Sequence, residues 1–377
     1  MSHEASWEAQ LQNRLGSLLR DLMLIPGLSG HEGRVRRHLK GLLHELGLEG
    51  RTDRVGNLIV TVEGTHDGPT VMLFGHMDQV GFFVRRIEPN GLLRLERLGG
   101  IPERVLAGTP VLLCVGEGRD VSGVIGSKSN HVLAEHEKYE VQRLADVFVD
   151  IGLSSADEVR AKGIDIGTPV VYEPAARQLG GTCMAGTSID DRGACAVLVE
   201  TLRELRDLPA RPTTHFVFSV QEEFNVRGAF IAAQALKPDI AVQLDITIAS
   251  DTPDLAHLGE AMLGCGPVVS MYNFHGRGTL NGVIPHPALT GLFARAAEQE
   301  NIPVQKSAVV GLLTDGAYVQ LAGEGVASID IAYPARYAHS PNEVCDLRDL
   351  SNLTLLLLAA LGSIDADFSL DRDDYIS

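Results

Sequence analysis

Leu11, Leu15, Leu18, Leu19 and Leu22 recur three and four residues apart, which predicts an amphipathic helix closed by a Pro26-Gly27 turn. A second apolar stripe, Val35, Leu39, Leu42, Leu43 and Leu46, predicts another helix. Ser29 and Glu32 precede it in capping-box order, and Gly47 supplies a stop. From Gly56 the pattern shortens to β-type runs, NLIVTV, TVMLF, GFFVRRI, LLRLERL, TPVLLCV and DVSGVIG, with Asn90-Gly91 predicting a type I′ hairpin. Residues 85–169 therefore read as a compact, mainly antiparallel β unit. After about residue 187 strand and helix alternate: a helix after Asp190-Asp191, the strand HFVFSV, a helix from Val226, the strand IAVQL, a helix near 287–300 and the strand SIDIAY. Such alternation predicts an α/β fold around a mixed, mainly parallel sheet flanked by helices. The expected division is one α/β domain built from 1–84 and 170–377, with a small β-barrel-like domain inserted at 85–169.

Composition narrows the partners. The 377 residues, 45% of them hydrophobic, are ample for a large core, and 32 Lys+Arg against 49 Asp+Glu give a net charge of −17. That charge repels phosphate backbones and anionic lipid, so neither nucleic acid nor a membrane is an expected partner. The five cysteines are far apart and form no C-x-x-C, which argues against a disulfide framework or a thiolate zinc site and for a reducing, cytoplasmic location. The opening MSHEASWEAQLQ does not read as a signal peptide, and no apolar run has the length of a membrane span.

The informative chemistry lies where apolar runs stop. VMLF runs into Gly75-His76-Met77-Asp78, FVFSV into Gln221-Glu222-Glu223, AVQL into Asp245, and IAYPARYA leads to His339. In α/β sheets ligands bind beyond the carboxyl ends of the strands. Taken singly, each residue has a bland reading: a structural histidine, a solvated Glu pair, an Asp190-Asp191 N-cap, an aspartate closing a turn. Their coincidence at one sheet edge favours a metal centre. Zinc takes imidazole nitrogen and carboxylate oxygen, and two ions about 3.5–4 Å apart need a bridging carboxylate. His76 and Asp78 share a face of an extended segment, so Asp78 is placed to support His76. If extended, Glu222 and Glu223 face opposite ways, one to ligate and one to act as general base.

The motifs GHMDQVGFFV, SIDDRGACAVLVETL, QEEFNVRGA, QLDIT and RYAHSPNEV, in that order, resemble those of the glutamyl and deblocking aminopeptidases, also called tetrahedral aminopeptidases. The resemblance extends from the N-terminal helices to about residue 350 and implies a zinc-exopeptidase-like fold. It further implies that His76, Asp190 and Asp245 hold one ion while Asp190, Glu223 and His339 hold the other, with Asp190 as the bridge. Glu222 would be general base and proton shuttle and Asp78 the carboxylate behind His76, while Asp191 would be structural and paired with Arg192. The implied cofactors are two divalent ions per chain, zinc with cobalt or manganese as alternatives. The implied substrates are peptides trimmed from the N-terminus. The inserted unit would dimerise the chain, and dimers would build a twelve-subunit tetrahedron.

Other positions carry less. Gly311-Leu312-Leu313-Thr314-Asp315-Gly316 departs from the family's Gly-Thr-Asp-Ala pattern while keeping Thr314-Asp315, and is expected to wall the pocket. His131 reads as a surface histidine and Cys195 as a buried, inert thiol. Two competing readings are a related metal amidohydrolase acting on N-acyl or glycan-associated substrates and an inactive assembly protein. Glycosidases commonly use two metal-free carboxylates, and the complete ligand set argues against a vestigial site.

Overall fold

A computed structural model of the chain describes residues 4–276 and 278–375. Its centre is a nine-stranded mixed sheet in the order Arg51–Thr52, Leu58–Val62, Thr214–Ser219, Val71–His76, Ile240–Ile248, Ala327–Ala335, Val268–Phe274 and Gly282–Val283, with Gln305–Val310 also paired to Val268–Phe274. The four strands from Thr214–Ser219 to Ala327–Ala335 run parallel. Val71–His76 is buried at every position, as expected of a strand covered on both faces.

Alternation sends its residues to two cores. Val71 and Leu73 join a large cluster with the helices Glu4–Met23, Gly33–Glu45, Ile189–Leu205, Pro287–Gln299 and Leu347–Gly362. Met72 and Phe74 join a smaller one with Gly228–Leu236 and Gly316–Val319. Each fully buried Leu or Phe contributes about 1.5–3 kcal/mol. Register aligns the carboxyl ends: Ser219 lies opposite His76, and Gln243 lies opposite both Phe74 and Asp330. The strand holding Asp245 does not stop there but continues to Ile248, because its partner Ala327–Ala335 extends equally far.

Between Gly81 and Tyr172 the chain forms a closed antiparallel barrel of six strands, ordered Gly81–Ile87, Leu93–Leu98, Phe148–Asp150, Val121–Gly126, Pro110–Leu113 and Pro169–Tyr172. Phe82, Val84, Leu95, Val111, Ile125 and Val149 are among the side chains filling it. Arg34–Asp120 and Arg37–Glu117 ion pairs tie its outer loop to the helix Gly33–Glu45. Asn90-Gly91 is not a type I′ turn. The Gly91 amide closes on the Glu88 carbonyl at 2.9 Å, and of the two only Gly91 has positive φ, +85°. The turn is Glu88–Gly91 with Pro89 and Asn90 at its centre, and the fixed negative φ of Pro89 makes this turn an unprimed one.

Ser29 is not a cap either. The helix begins at Gly33 with Glu32 at its N-cap and no capping side chain. The Ser29 hydroxyl instead donates to Asp78, and Glu32 Oε1 accepts from the amides of Gly30 at 2.6 Å and Gln221 at 3.3 Å. Gly47 does end its helix, with φ +71° and its amide on the His44 carbonyl. Among the described residues no helix is long and apolar enough to cross a membrane.

Candidate metal centre

The strand alternation that sorts the core also assembles the site. On the face carrying Met72 and Phe74 the next residue of that kind is His76; beside it, Ala241 is followed by Gln243 and Asp245, and Val217 by Ser219. Each strand is apolar along its length and turns polar at its carboxyl end. The buried polar ends therefore coincide.

Asp190, at the start of the helix Ile189–Leu205, reaches between the two histidines. Its Oδ1 lies 3.1 Å from His76 Nε2 and its Oδ2 3.2 Å from His339 Nε2. Glu223 Oε1 is 3.4 Å from His339 Nε2, and Glu222 Oε2 is 3.8 Å from His76 Nε2. Three groups have ligand atoms all within 4.8 Å of one another: Asp190, Glu223 and His339; His76, Glu222 and Glu223; and His76, Asp191 and Asp245. The second expected triad is thus brought together as a unit, whereas Asp245 is grouped with His76 through Asp191 rather than Asp190.

Asp191 is already engaged. It accepts from the Tyr333 hydroxyl at 2.9 Å, the Ala194 amide at 3.2 Å and the His76 amide at 3.2 Å. It does not pair with Arg192, whose guanidinium turns away to the Leu22 carbonyl at 2.9 Å and the Ile25 carbonyl at 3.3 Å. The neighbours diverge because the apolar helix that follows faces the sheet at Asp191 and the N-terminal helix at Arg192.

Behind the histidines lies a built support. Asp78 accepts from Ser29 and from the amides of Glu222 and Glu223, each at 3.1 Å, while its own carbonyl is 3.1 Å from His76 Nδ1. Glu222 and Glu223 are therefore held in a turn, not extended, and both carboxylates face the cluster. His339 Nδ1 donates to the Gly100 carbonyl at 2.8 Å. Glu343, which the sequence reading did not single out, accepts from the amides of His339 at 2.7 Å and Asp190 at 3.0 Å. Its only advance signal was its place in the RYAHSPNEV run. Ser188, Gln221, Tyr337 and His339 adopt positive φ between 58° and 63°, a backbone cost of about 1–3 kcal/mol each that the surrounding bonds must over-determine.

Electrostatics mark the same residues. Burial pulls the His76 and His339 imidazoles toward neutrality, but the facing carboxylates outweigh it and hold both pKa values well above the ordinary range. Burial raises the Asp190 carboxyl too, yet its bonds to His339 and His76 bring it below the usual value. Burial and like charge push Glu222 and Asp245 well up, and Glu223 up to about 7. Glu343 is raised to about 8 and Asp315 to about 7, burial being the main cause in each. Asp315 accepts from the Ser219 hydroxyl at 3.0 Å, below the site rather than in it. Burial likewise lifts the Cys195 thiol to about 12, so it is inert, while His131 is exposed on a short turn of the barrel.

The donor set fits divalent cations. Asp190, Asp245, Glu222 and Glu223 outnumber the two imidazoles, and Glu223 Oε1 is a buried acceptor without a hydrogen-bond donor. Nitrogen and oxygen donors without thiolate suit zinc, cobalt or manganese.

The M42 glutamyl aminopeptidase family profile matches residues 56–356. The lysyl aminopeptidase of Pyrococcus furiosus is 30% identical over 347 residues, covering 91% of this chain and 96% of that protein. The solved structure of an aminopeptidase from the archaeon Desulfurococcus kamchatkensis superposes with a TM-score of 0.88 at 32% identity, covering 98% of this chain and 99% of that one. The TET1 peptidase of Pyrococcus horikoshii, described as assembling into a tetrahedron or a large octahedral shell, gives 0.82 at 28% identity, covering 93% and 100%. This chain belongs to the M42 glutamyl aminopeptidase family, and its activity class is that of a hydrolase working as an aminopeptidase.

Proposed function

We propose that the chain is a dinuclear metal-dependent aminopeptidase in which Asp190 bridges the two ions and Glu222 is the general base. The observation that carries this reading is the placement of the Asp190 oxygens, 3.1 and 3.2 Å from the Nε2 atoms of His76 and His339. His76 and Asp245 complete one set of donors, and Glu223 and His339 complete the other. Asp191 is left to structure because the Tyr333, Ala194 and His76 donors occupy its carboxylate. Two divalent ions, zinc or alternatively cobalt or manganese, would when bound lower the pKa of a water and polarise the scissile carbonyl.

The remaining steps belong to the protein. Glu222 stands beside His76 with no hydrogen bond to its carboxylate among the described residues, free to take the proton of the attacking water and pass it to the departing amine. Asp78 holds the backbone of both glutamates and so fixes the base relative to His76. The surplus of carboxylates favours a free α-ammonium group on the substrate, which makes the enzyme an exopeptidase acting at N-termini. The α/β part, residues 1–84 and 170–377, would carry this chemistry. The barrel part, 85–169, would serve self-association into dimers and a tetrahedral dodecamer, by analogy with the Pyrococcus horikoshii peptidase. Five unpaired thiols suit a reducing cytoplasm.

The test is a short peptide beside its N-acetylated twin, digested by metal-loaded enzyme and followed by mass spectrometry. Stepwise loss of single residues from the free peptide alone is expected. Comparable release from the acetylated peptide would move the chain to the acyl-removing hydrolases. Buried carboxylates left without their ammonium partner cost about 1–3 kcal/mol, enough to separate the two digests.

A further inference from the structure

Gln243 lies two residues before Asp245 on the strand Ile240–Ile248, so both side chains leave the same face of the sheet. Both ends of its amide are used. Nε2 donates to Asp245 Oδ2 at 3.0 Å, and Oε1 accepts the backbone amide of Gly316. The Ile246 amide donates to the other Asp245 oxygen at 2.7 Å. Asp245 is therefore held at both oxygens, once by its own backbone and once by Gln243.

The arrangement explains the departure at position 316. A Cβ added to Gly316 would lie 2.4 Å from Asp330 Oδ1 and 2.7 Å from Gln243 Oε1, closer than Cβ atoms approach their neighbours. Asp330 cannot yield, since its other oxygen holds Asn273 at 2.7 Å and Thr314 at 2.8 Å. Gln243 stands directly opposite Asp330 in the strand register and has no free direction either. An alanine at 316 is excluded by this polar network.

We propose that Gln243 is a positioning residue for Asp245, and that Gly316 is the glycine this position requires, so that the loop 311–316 is mechanically linked to one of the two ion sites. This rests on the dinuclear reading above. Removing the amide frees Asp245 Oδ2 to turn away. Restoring a Cβ at 316 has the same effect from a different segment of the chain, by displacing Gln243.

Gln243→Met, Gly316→Ala, the double variant and Asp245→Asn are each reconstituted with zinc. The two dissociation constants are then read by chelator competition with elemental analysis, and folding of the apo-proteins is read by thermal melting in chelator. Loss of a residue that orients a metal ligand typically weakens the metal by about 10–100-fold. Gln243→Met and Gly316→Ala are expected to weaken one ion by that factor while changing the other by less than about threefold. The double variant should be no worse than Gln243→Met alone, since both changes break one link. Asp245→Asn should weaken the same ion further. Wild-type affinity for both ions in Gln243→Met or Gly316→Ala overturns the inference. Equal weakening of both ions also overturns it, since that is what general damage to the fold produces. Should Gln243→Met fail to fold, Gly316→Ala decides alone, because it removes no polar group from the chain. Fewer than two ions on the wild-type chain would overturn the dinuclear reading itself, and the inference with it.

Discussion

The barrel interior and the carboxyl end of the large sheet are both buried β-structure, and they are filled in opposite ways. Inside the barrel stand Phe82, Val84, Leu95, Val111, Ile125 and Val149, packed with Tyr172 in one apolar cluster. At the sheet end Asp78, Asp190, Asp191, Asp245 and Asp315 are buried together with His76. An apolar core stabilises through the area it removes from water. A cluster of carboxylates loses several kcal/mol per uncompensated charge, and persists only where hydrogen bonds or cations answer it. One region is thus held by shape and the other by electrostatic complementarity, so they should fail under different perturbations.

The largest effect expected from separating them is kinetic. Glu222→Gln should keep both ions and lose turnover by on the order of 10²–10⁴, because it removes a proton acceptor without removing a ligand. Kinetics beside elemental analysis check this, and near-normal turnover would reject Glu222 as the base. Next comes Phe82→Ala, which empties part of the barrel core. It should destabilise the protein by about 3–5 kcal/mol in denaturant titrations while the folded fraction keeps its metal. Loss of metal there would mean that the two regions are not separable. Chelating one of the ions should cost less, about 2.7 kcal/mol for a single site filled at a hundred times its dissociation constant. Amide exchange should speed up around His76–Gln79 and Gln221–Glu223 but not in the barrel strands. Uniform acceleration would erase the contrast. Arg37→Ala is expected to do least. Its pair with Glu117 is more than 60% exposed on both sides, and such pairs contribute under about 1 kcal/mol. Unfolding midpoints would show this.

Much of the sheet was legible because parallel strands buried on both faces write themselves as unbroken apolar runs, and a run that stops at His76 or Glu222 announces its carboxyl end. The barrel was legible from short runs between turns. What supports the site was not. Ser29 carries the local signature of a cap, and only tertiary folding brings its hydroxyl to Asp78, 49 residues on. Glu343 lies near His339 in sequence, but its contact with the Asp190 amide spans 153 residues. Gln243 reads as an ordinary polar strand residue until Gly316 arrives beside it. The type I′ prediction at Asn90-Gly91 failed because the turn closes one residue earlier, with Pro89 and Asn90 at its centre. Local chemistry marks residues that face a ligand, whereas those that face another segment become visible only once the chain has folded.

Gly100 sits in the loop after the barrel strand Leu93–Leu98, and its carbonyl receives the Nδ1 hydrogen of His339. That acceptor fixes a hydrogen on Nδ1 and so leaves Nε2 as the nitrogen that would face a cation. A Cβ at Gly100 would stand 3.0 Å from that same nitrogen. A chimera that exchanged the barrel, Gly81 to Tyr172, for a foreign β module would therefore inherit a tautomer problem along with its new surface. The insertion resembles a cassette in the order of the chain, but in any recombination it has to travel with the histidine it orients.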